Sequence, residues 1–172
     1  MVYVVKKKVK ADRLFSQACR LEEQGKMRSA FRLMLAAAKL GDIGAQLNVG
    51  NYYDDGKGVR RNRESAVYWY RRAYRRGYCS AAHNIGVIWR NEGKLRRALY
   101  WFSRAVSLGD EESNLDIGKH FLYNENNPRK AVVYFKRVKP TGWVSEACAE
   151  ESENLLREAN RRISTRRDPR RR

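Results

Sequence analysis

Apolar residues recur along the chain at fixed spacings, and the clearest copy of this pattern lies at residues 66–77. A small residue there, Ala66, is followed by an aromatic pair at +3 and +4, another small residue at +7 and a glycine at +11. Ala30, Ala66, Ala98 and Ala131 lead four such copies, at intervals of 36, 32 and 33 residues. A period of this size is typical of stacked pairs of helices.

A second apolar pattern precedes each copy and predicts the first helix of each pair. From Ala11 to Leu21, apolar residues recur at three- and four-residue spacing, which indicates a helix. The corresponding helices of the later repeats each contain an interior glycine: Gly50, Gly86 and Gly118. Because glycine in a helix costs up to about 1 kcal/mol against alanine, its repetition predicts a neighbouring helix too close for a side chain.

The segments between the predicted helices carry residues that end or begin a helix. Gly41 follows the second predicted helix, where a left-handed C-cap favours glycine. Asn62 is predicted to cap the second helix of the next pair, and Asn127 is predicted to cap a helix that begins with Pro128.

Four segments follow from these patterns. Residues 1–10 are predicted to be a basic, strand-like or disordered lead, because one short alternation of apolar residues has no partner strand. Residues 11–142 hold the repeats. Residues 143–163 are predicted to form a capping helix with one apolar side. Residues 164–172, rich in arginine, are predicted to be a disordered tail.

The repeats resemble the Sel1-like repeat family, a relative of the tetratricopeptide repeat. Residues 45–53, 56–59 and 66–77 carry the closest likeness, whereas the third and fourth repeats lack the Gly-x-Gly-Val loop of residues 56–59. The resemblance implies an all-α fold, a right-handed α-solenoid of antiparallel helix pairs with about four repeats. It also implies an adaptor that binds proteins, and no chemistry common to the family.

The charge of the chain predicts acidic partners. It has 37 lysines and arginines against 19 acidic residues, a net charge of +18. Such a field attracts an acidic protein surface, nucleic acid or anionic lipid, although charge can also serve solubility alone. No apolar run approaches the roughly 20 residues needed to span a membrane. In a secretory signal, basic residues precede an apolar stretch, whereas here a very short apolar segment precedes the lysines. This arrangement predicts a cytoplasmic protein.

The residue types that carry catalysis or bind metals are sparse. The three cysteines lie far apart, which predicts inert buried thiols rather than disulfides or a zinc site. His83 and His120 have no ligand partner at helical spacing. Residues 56–58 lack the spaced glycine and the Ser/Thr of a phosphate-binding loop. We therefore expect neither a cofactor nor a metal, and no enzymatic activity.

The resemblance assigns the first helix of each pair to a concave groove and the second to an outer face. The groove residues predicted to contact a partner are Leu47, Asn51, Asp54, Asp55, His83, Val87, Arg90, Leu115, Lys119 and Tyr123. The predicted basic outer face comprises Arg71, Arg72, Arg75, Arg76, Arg96 and Arg97.

Two classes of function remain open from the sequence. The first is an adaptor that binds a partner protein in the groove, including the narrower case of an inhibitor or immunity protein that blocks a toxin or effector. The second is binding of nucleic acid or an anionic membrane by the outer arginines, the tails and the interleaved Tyr68, Tyr74 and Tyr78.

Overall fold

The computed structural model describes residues 2–139 and 144–165, and within these ranges every regular element is helical. The helices are α1 (Val2–Glu23), α2 (Met27–Lys39), α3 (Ile43–Asp55), α4 (Arg63–Tyr74), α5 (Cys79–Asn91), α6 (Leu95–Ser107), α7 (Ser113–Lys119), α8 (Pro128–Phe135) and α9 (Glu146–Thr165). The last turn of the α7 helix continues as a π-helical turn, His120–Asn124.

The chain divides into two compact units, Met1–Ile85 and Gly86–Arg172. In the first unit, α1 packs against α2, α2 against α3 and α3 against α4. In the second unit, α6 packs against α7, α7 against α8 and α8 against α9. Short turns join α1 to α2, α2 to α3 and α6 to α7, so these packed neighbours run in opposite directions. The predicted all-α fold of helix pairs is confirmed.

Each interior glycine of a first helix lies against an aromatic ring of the helix that follows. A Cβ atom on Gly86 would come within 2.6 Å of the Phe102 ring, and Gly118 faces Phe135 in the same way. In the first unit, Gly50 faces Tyr70. All three rings are buried. The prediction that these glycines allow close helix approach is confirmed.

The predicted helix caps are also confirmed. The Asn62 Oδ1 atom accepts a hydrogen bond from the Ser65 backbone N–H at 2.9 Å, and the Asn127 Oδ1 atom accepts one from Lys130 at 3.1 Å. Gly41 follows α2 with a φ of +97°, the left-handed conformation expected of a C-cap glycine.

The N-terminal segment corrects one prediction. α1 begins at Val2, so a strand-like or disordered lead over residues 1–10 is wrong for residues 2–10. No glycine or proline interrupts the chain between Val2 and Glu23, and lysine is a good helix former. The helix therefore extends from the apolar pattern back into the lysine-rich segment, where Val5 and Val9 remain exposed.

The C-terminal helix, α9, packs one side against α7 and α8 within the second unit. Ala149, Ser152 and Ala159 are buried, and the Ser152 hydroxyl donates a hydrogen bond to the Phe135 carbonyl at 2.9 Å. α9 ends at Thr165, so residues 164–165 belong to a helix rather than to the predicted tail. Residues 166–172 of that tail, residue 143 at the predicted start of the capping helix and residues 140–142 at the end of the predicted repeats lie outside the described residues.

Candidate functional site

In the first unit, the predicted groove residue Asn51 joins three helices. Its Oδ1 atom accepts hydrogen bonds from the Tyr70 hydroxyl at 2.8 Å and from the Asn84 side chain at 3.2 Å. Tyr70 is buried, and burial followed by the charge of Asp54 raises its pKa. Asn51 therefore links α3 to α4 and α5, which gives it a structural role beside any contact with a partner.

We expect the substitution Asn51→Ala to destabilise the protein by about 1–3 kcal/mol, because the buried Tyr70 hydroxyl loses its acceptor. Urea denaturation followed by circular dichroism measures the effect. The companion variant Tyr70→Phe removes the hydroxyl together with its need for a partner, and should cost less. An unchanged unfolding free energy in Asn51→Ala would show that this network is not structural.

The predicted groove residues Asp54 and Asp55 hold the loop that follows α3. The Asp55 carboxylate lies 2.8 Å from Lys57 Nζ, and Asp54 lies 3.6 Å from Arg61. The hydrogen bond and charge of Asp55 raise the pKa of Lys57. In the loop, Gly58 adopts a positive φ of 64° directly against the Met27 carbonyl, and Val59 packs on the core of the first unit. The loop thus lies on the first turn of α2.

Leu115 is predicted to contact a partner, but the structure buries its side chain. Leu115 is 7% exposed and lies in a core cluster that includes Val144 and Ala149. Val87 is half-buried and packs on a second core cluster around Phe102. Leu47 and His83 are also half-buried.

Lys119 and Tyr123, also predicted to contact a partner, both contact α9. Lys119 Nζ lies 2.7 Å from Glu151, and the Tyr123 hydroxyl donates a hydrogen bond to Glu158 at 2.9 Å. Burial and the Glu158 hydrogen bond raise the pKa of Tyr123, whereas the Tyr123 hydrogen bond and Arg162 lower the pKa of Glu158. Both side chains are still partly exposed.

A pocket of about 110 Å³ in the second unit brings three predicted contact residues together: Arg90, Lys119 and Tyr123. Its apolar walls come from α6 and consist of Leu95, Ala98, Leu99 and Phe102. Its polar edge is completed by Asp116, His120 and Asn124.

Ion pairs and a contact between a histidine and a carboxylate form the polar edge of this pocket. Arg90 pairs with Asp116 and also lies 6.0 Å from the centre of the Phe102 ring. His120 Nε2 lies 3.2 Å from Glu125. The side chains of His120, Tyr123 and Asn124 come from the π-helical turn, a feature frequent at functional sites. Apolar walls with a few polar and charged groups at the edge are typical of a binding pocket.

Sequence reasoning missed the apolar half of this pocket. Leu95, Leu99 and Phe102 follow the helical apolar pattern, so they could not be told from ordinary core residues. The sequence contains one sign of the pocket: the connection after α7 is short and lacks the Gly-x-Gly-Val loop found after α3.

The predicted basic outer face is exposed at Arg71, Arg75, Arg76, Arg96 and Arg97, whereas Arg72 is half-buried. Trp69 and Tyr70 of the same helix are core residues. Arg72 lies 5.9 Å from the centre of the exposed Tyr68 ring, and Arg104 lies 5.3 Å from that of Tyr100. These arginines therefore already cover one face of the rings on which a nucleic-acid base would stack.

The described residues offer no group of three His, Cys, Asp or Glu side chains that could hold a metal ion. The three cysteines are free and half-buried. Burial, reinforced by Glu112 and Glu151, raises the pKa of Cys148 to about 11, which keeps this thiol protonated and weakly reactive at neutral pH. None of the described helices carries an apolar stretch long enough to cross a bilayer.

Comparison with protein families agrees with the repeats found in the sequence. The Sel1 repeat model matches residues 26–42, 43–78 and 80–110. A sel1-like repeat-containing protein of Acanthamoeba polyphaga mimivirus is 27% identical over 85 residues, which are 49% of this chain and 16% of that protein.

Two solved structures share the fold. A Sel1 repeat protein from Oxalobacter formigenes superposes with a TM-score of 0.67 at 20% identity, over 87% of this chain and 63% of that one. A protective antigen of uropathogenic Escherichia coli with an SLR fold gives a TM-score of 0.64 at 20% identity, over 91% of this chain and 38% of that one. The chain thus spans less than two thirds of the length of each of these three proteins.

Proposed function

Because the chain belongs to the Sel1-like repeat family, we propose that it is a non-enzymatic adaptor that binds a partner protein around the pocket edged by Arg90, Lys119 and Tyr123. One observation carries this proposal: three residues chosen as partner contacts from the repeat pattern line the same open pocket. Among the other predicted contacts, Asn51 and Leu115 have structural roles.

The balance of groups around the pocket supports protein binding over catalysis. Protein interfaces are commonly built from an apolar centre, an aromatic or arginine anchor and a polar rim. Leu99 and Phe102 supply the apolar centre, Tyr123 and Arg90 are residue types enriched in binding hot spots, and Lys119 belongs to the rim. The residues that line the pocket include no serine, threonine or cysteine nucleophile.

The test compares two substitutions that make the same change in charge at different places. We expect Arg90→Glu to weaken capture of the partner by about tenfold or more, because it reverses the charge at the pocket edge and repels Asp116. Arg75→Glu, at the end of α4, should leave capture nearly unchanged. Capture from nuclease-treated native cells, followed by protein identification, measures both.

Equal loss in the two variants would contradict the pocket and indicate a general dependence on charge. Loss of all capture after nuclease treatment would indicate that nucleic acid is the partner. Whether binding also inhibits the partner, as in an immunity protein, is a separate hypothesis. Assay of the captured partner's activity with and without the bound chain tests it.

A further inference from the structure

The wall of the pocket has a counterpart in the first unit, at the start of α2. Lys26 precedes α2 with φ −82° and ψ 58°, and Lys94 precedes α6 with φ −84° and ψ 62°. In sequence register, the residues Met27, Ala30, Phe31 and Met34 of α2 correspond to Leu95, Ala98, Leu99 and Phe102 of α6. The second set lines the pocket.

In the first unit, this position is occupied by the chain's own loop. After the C-cap Gly56, residues 57–61 connect to the N-cap Asn62, and Gly58 lies directly on the Met27 carbonyl. Val59 packs on the core cluster that contains Ala30 and Met34, and Phe31 packs on the same cluster. The loop thus lies on the first turn of α2 and adds a branched aliphatic side chain to the core of the first unit.

In the second unit, the equivalent loop is too short to do this. Only Glu125 and Asn126 lie between Asn124, the counterpart of Gly56, and the N-cap Asn127. These two residues replace the five of residues 57–61, and neither is apolar. The second unit therefore has no counterpart of Val59, and the pocket lies open along α6.

We propose that this pocket binds a branched aliphatic side chain, valine, isoleucine or leucine, carried by an acidic segment of the partner protein in the place that Val59 takes in the first unit. This inference rests on the proposed adaptor function and specifies what its site recognises. The volume agrees, because an apolar cavity of about 150 Å³ holds benzene and this pocket measures about 110 Å³.

Basic residues beside the pocket that have no basic counterpart in the first unit give the segment its acidic character. In the first unit, the loop is basic, and its Lys57 and Arg61 pair with Asp55 and Asp54. In the second unit, the register places Arg90 where the first unit has Glu22, and Lys119 where it has Asn51.

The first turn of α6 adds further positive charge beside Leu95. Lys94, Arg96 and Arg97 are exposed there, and this turn contains no acidic residue. The Lys119–Glu151 pair is partly exposed, so an incoming carboxylate can replace Glu151 at small cost. The exposed Arg90 guanidinium has further N–H donors for a carboxylate while it keeps its pair with the more buried Asp116. A second copy of the chain fits poorly, because its Val59 loop is basic and each copy carries a net charge of +18.

The first experiment uses a cyclic peptide containing Gly-Glu-Gly-Val-Glu-Glu, the loop of residues 56–61 with its basic residues replaced by glutamate. Backbone amide chemical shifts of the full chain are recorded during titration to about 2 mM peptide, a range in which weak binding is measurable. We expect shifts centred on Leu95, Leu99 and Tyr123. The peptide with serine in place of valine should bind about tenfold or more weakly, because it cannot bury the two methyl groups.

A pair of protein variants locates the binding. Leu99→Asp places a charge in the pocket wall and should abolish the shifts, whereas Leu108→Asp changes an exposed residue just after the same helix and should not. Absence of shifts at the pocket, or equal binding of the valine and serine peptides, overturns the proposal.

A loop graft tests the same idea within the chain. Replacing residues 124–126 by Gly-Lys-Gly-Val-Arg-Arg gives the second unit the loop of the first, and its valine should fill the pocket and prevent peptide binding. The same graft with serine instead of valine adds equal charge but leaves the pocket open. It should bind the peptide at least about tenfold more tightly than the valine graft.

The outcomes separate this inference from the adaptor function. If the valine graft still captures the native partner as the serine graft does, the pocket inference fails while the adaptor function stands. If no protein is captured by the native chain, the adaptor function itself fails. A concentration-dependent dimer that the valine graft dissociates would assign the pocket to a second copy and overturn the acidic partner.

Discussion

Replacing Gly118 by valine should destabilise the second unit by about 3 kcal/mol, near the upper end of the range for overpacked cores. A Cβ atom at this position would overlap the Phe135 ring, which is 2% exposed and cannot move aside into solvent. Alanine should cost less, about 1–2 kcal/mol, since its better helix propensity offsets part of the clash by about 1 kcal/mol. Urea denaturation followed by circular dichroism measures both variants.

Two controls show whether the clash with the Phe135 ring causes the loss of stability. Ser103→Val adds a β-branched residue at an exposed site on α6 and should change the unfolding free energy by about 0.5 kcal/mol or less. Combining Gly118→Ala with Phe135→Leu should cost less than the sum of the two single changes, because the smaller side chain makes room. Strict additivity would contradict the close packing of Gly118 on Phe135.

Phe102→Ala should cost about 3–5 kcal/mol, the range for removing a buried aromatic side chain. Phe102 is 2% exposed, packs on Gly86 and belongs to a core cluster with Ala98 and Ile117. The same ring lines the pocket, so its removal should also enlarge the binding cavity. Denaturant titration gives the stability, and the shifts caused by the valine peptide give the effect on binding.

Tyr100→Ala on the same helix provides the comparison. Tyr100 is 54% exposed and contacts Arg104 and Trp101 at the surface, so its loss should cost about 1 kcal/mol or less. A similar cost for Phe102→Ala and Tyr100→Ala would mean that Phe102 does not support the core of the second unit.

The features that could be predicted from the sequence are those set by local chemistry and by the repeat. The interior glycines predict a close neighbour because their cost in a helix needs a reason, and the structure supplies the rings of Tyr70, Phe102 and Phe135. Asn62 and Asn127 predict helix starts because their side chains replace missing backbone partners.

The remaining features depend on neighbours that a local pattern does not contain. Leu115 has the spacing of a groove residue, but it is buried in a cluster that includes residues of α9, which lie far along the chain. Asn51 has the spacing of a ligand contact, although its hydrogen bonds join three helices. The pocket depends on the absence of a valine-bearing loop after α7, which becomes informative only beside the loop that contains Val59.

Site-specific photo-crosslinking in native cells tests most directly the central claim, that a partner protein binds at the pocket. A photoreactive phenylalanine analogue replaces Leu99 in the pocket wall or, in a second variant, Arg75 at the end of α4. We predict a nuclease-resistant crosslink to one protein from position 99, and none to that protein from position 75. A crosslink only from position 75, or one that nuclease removes from position 99, would contradict the account.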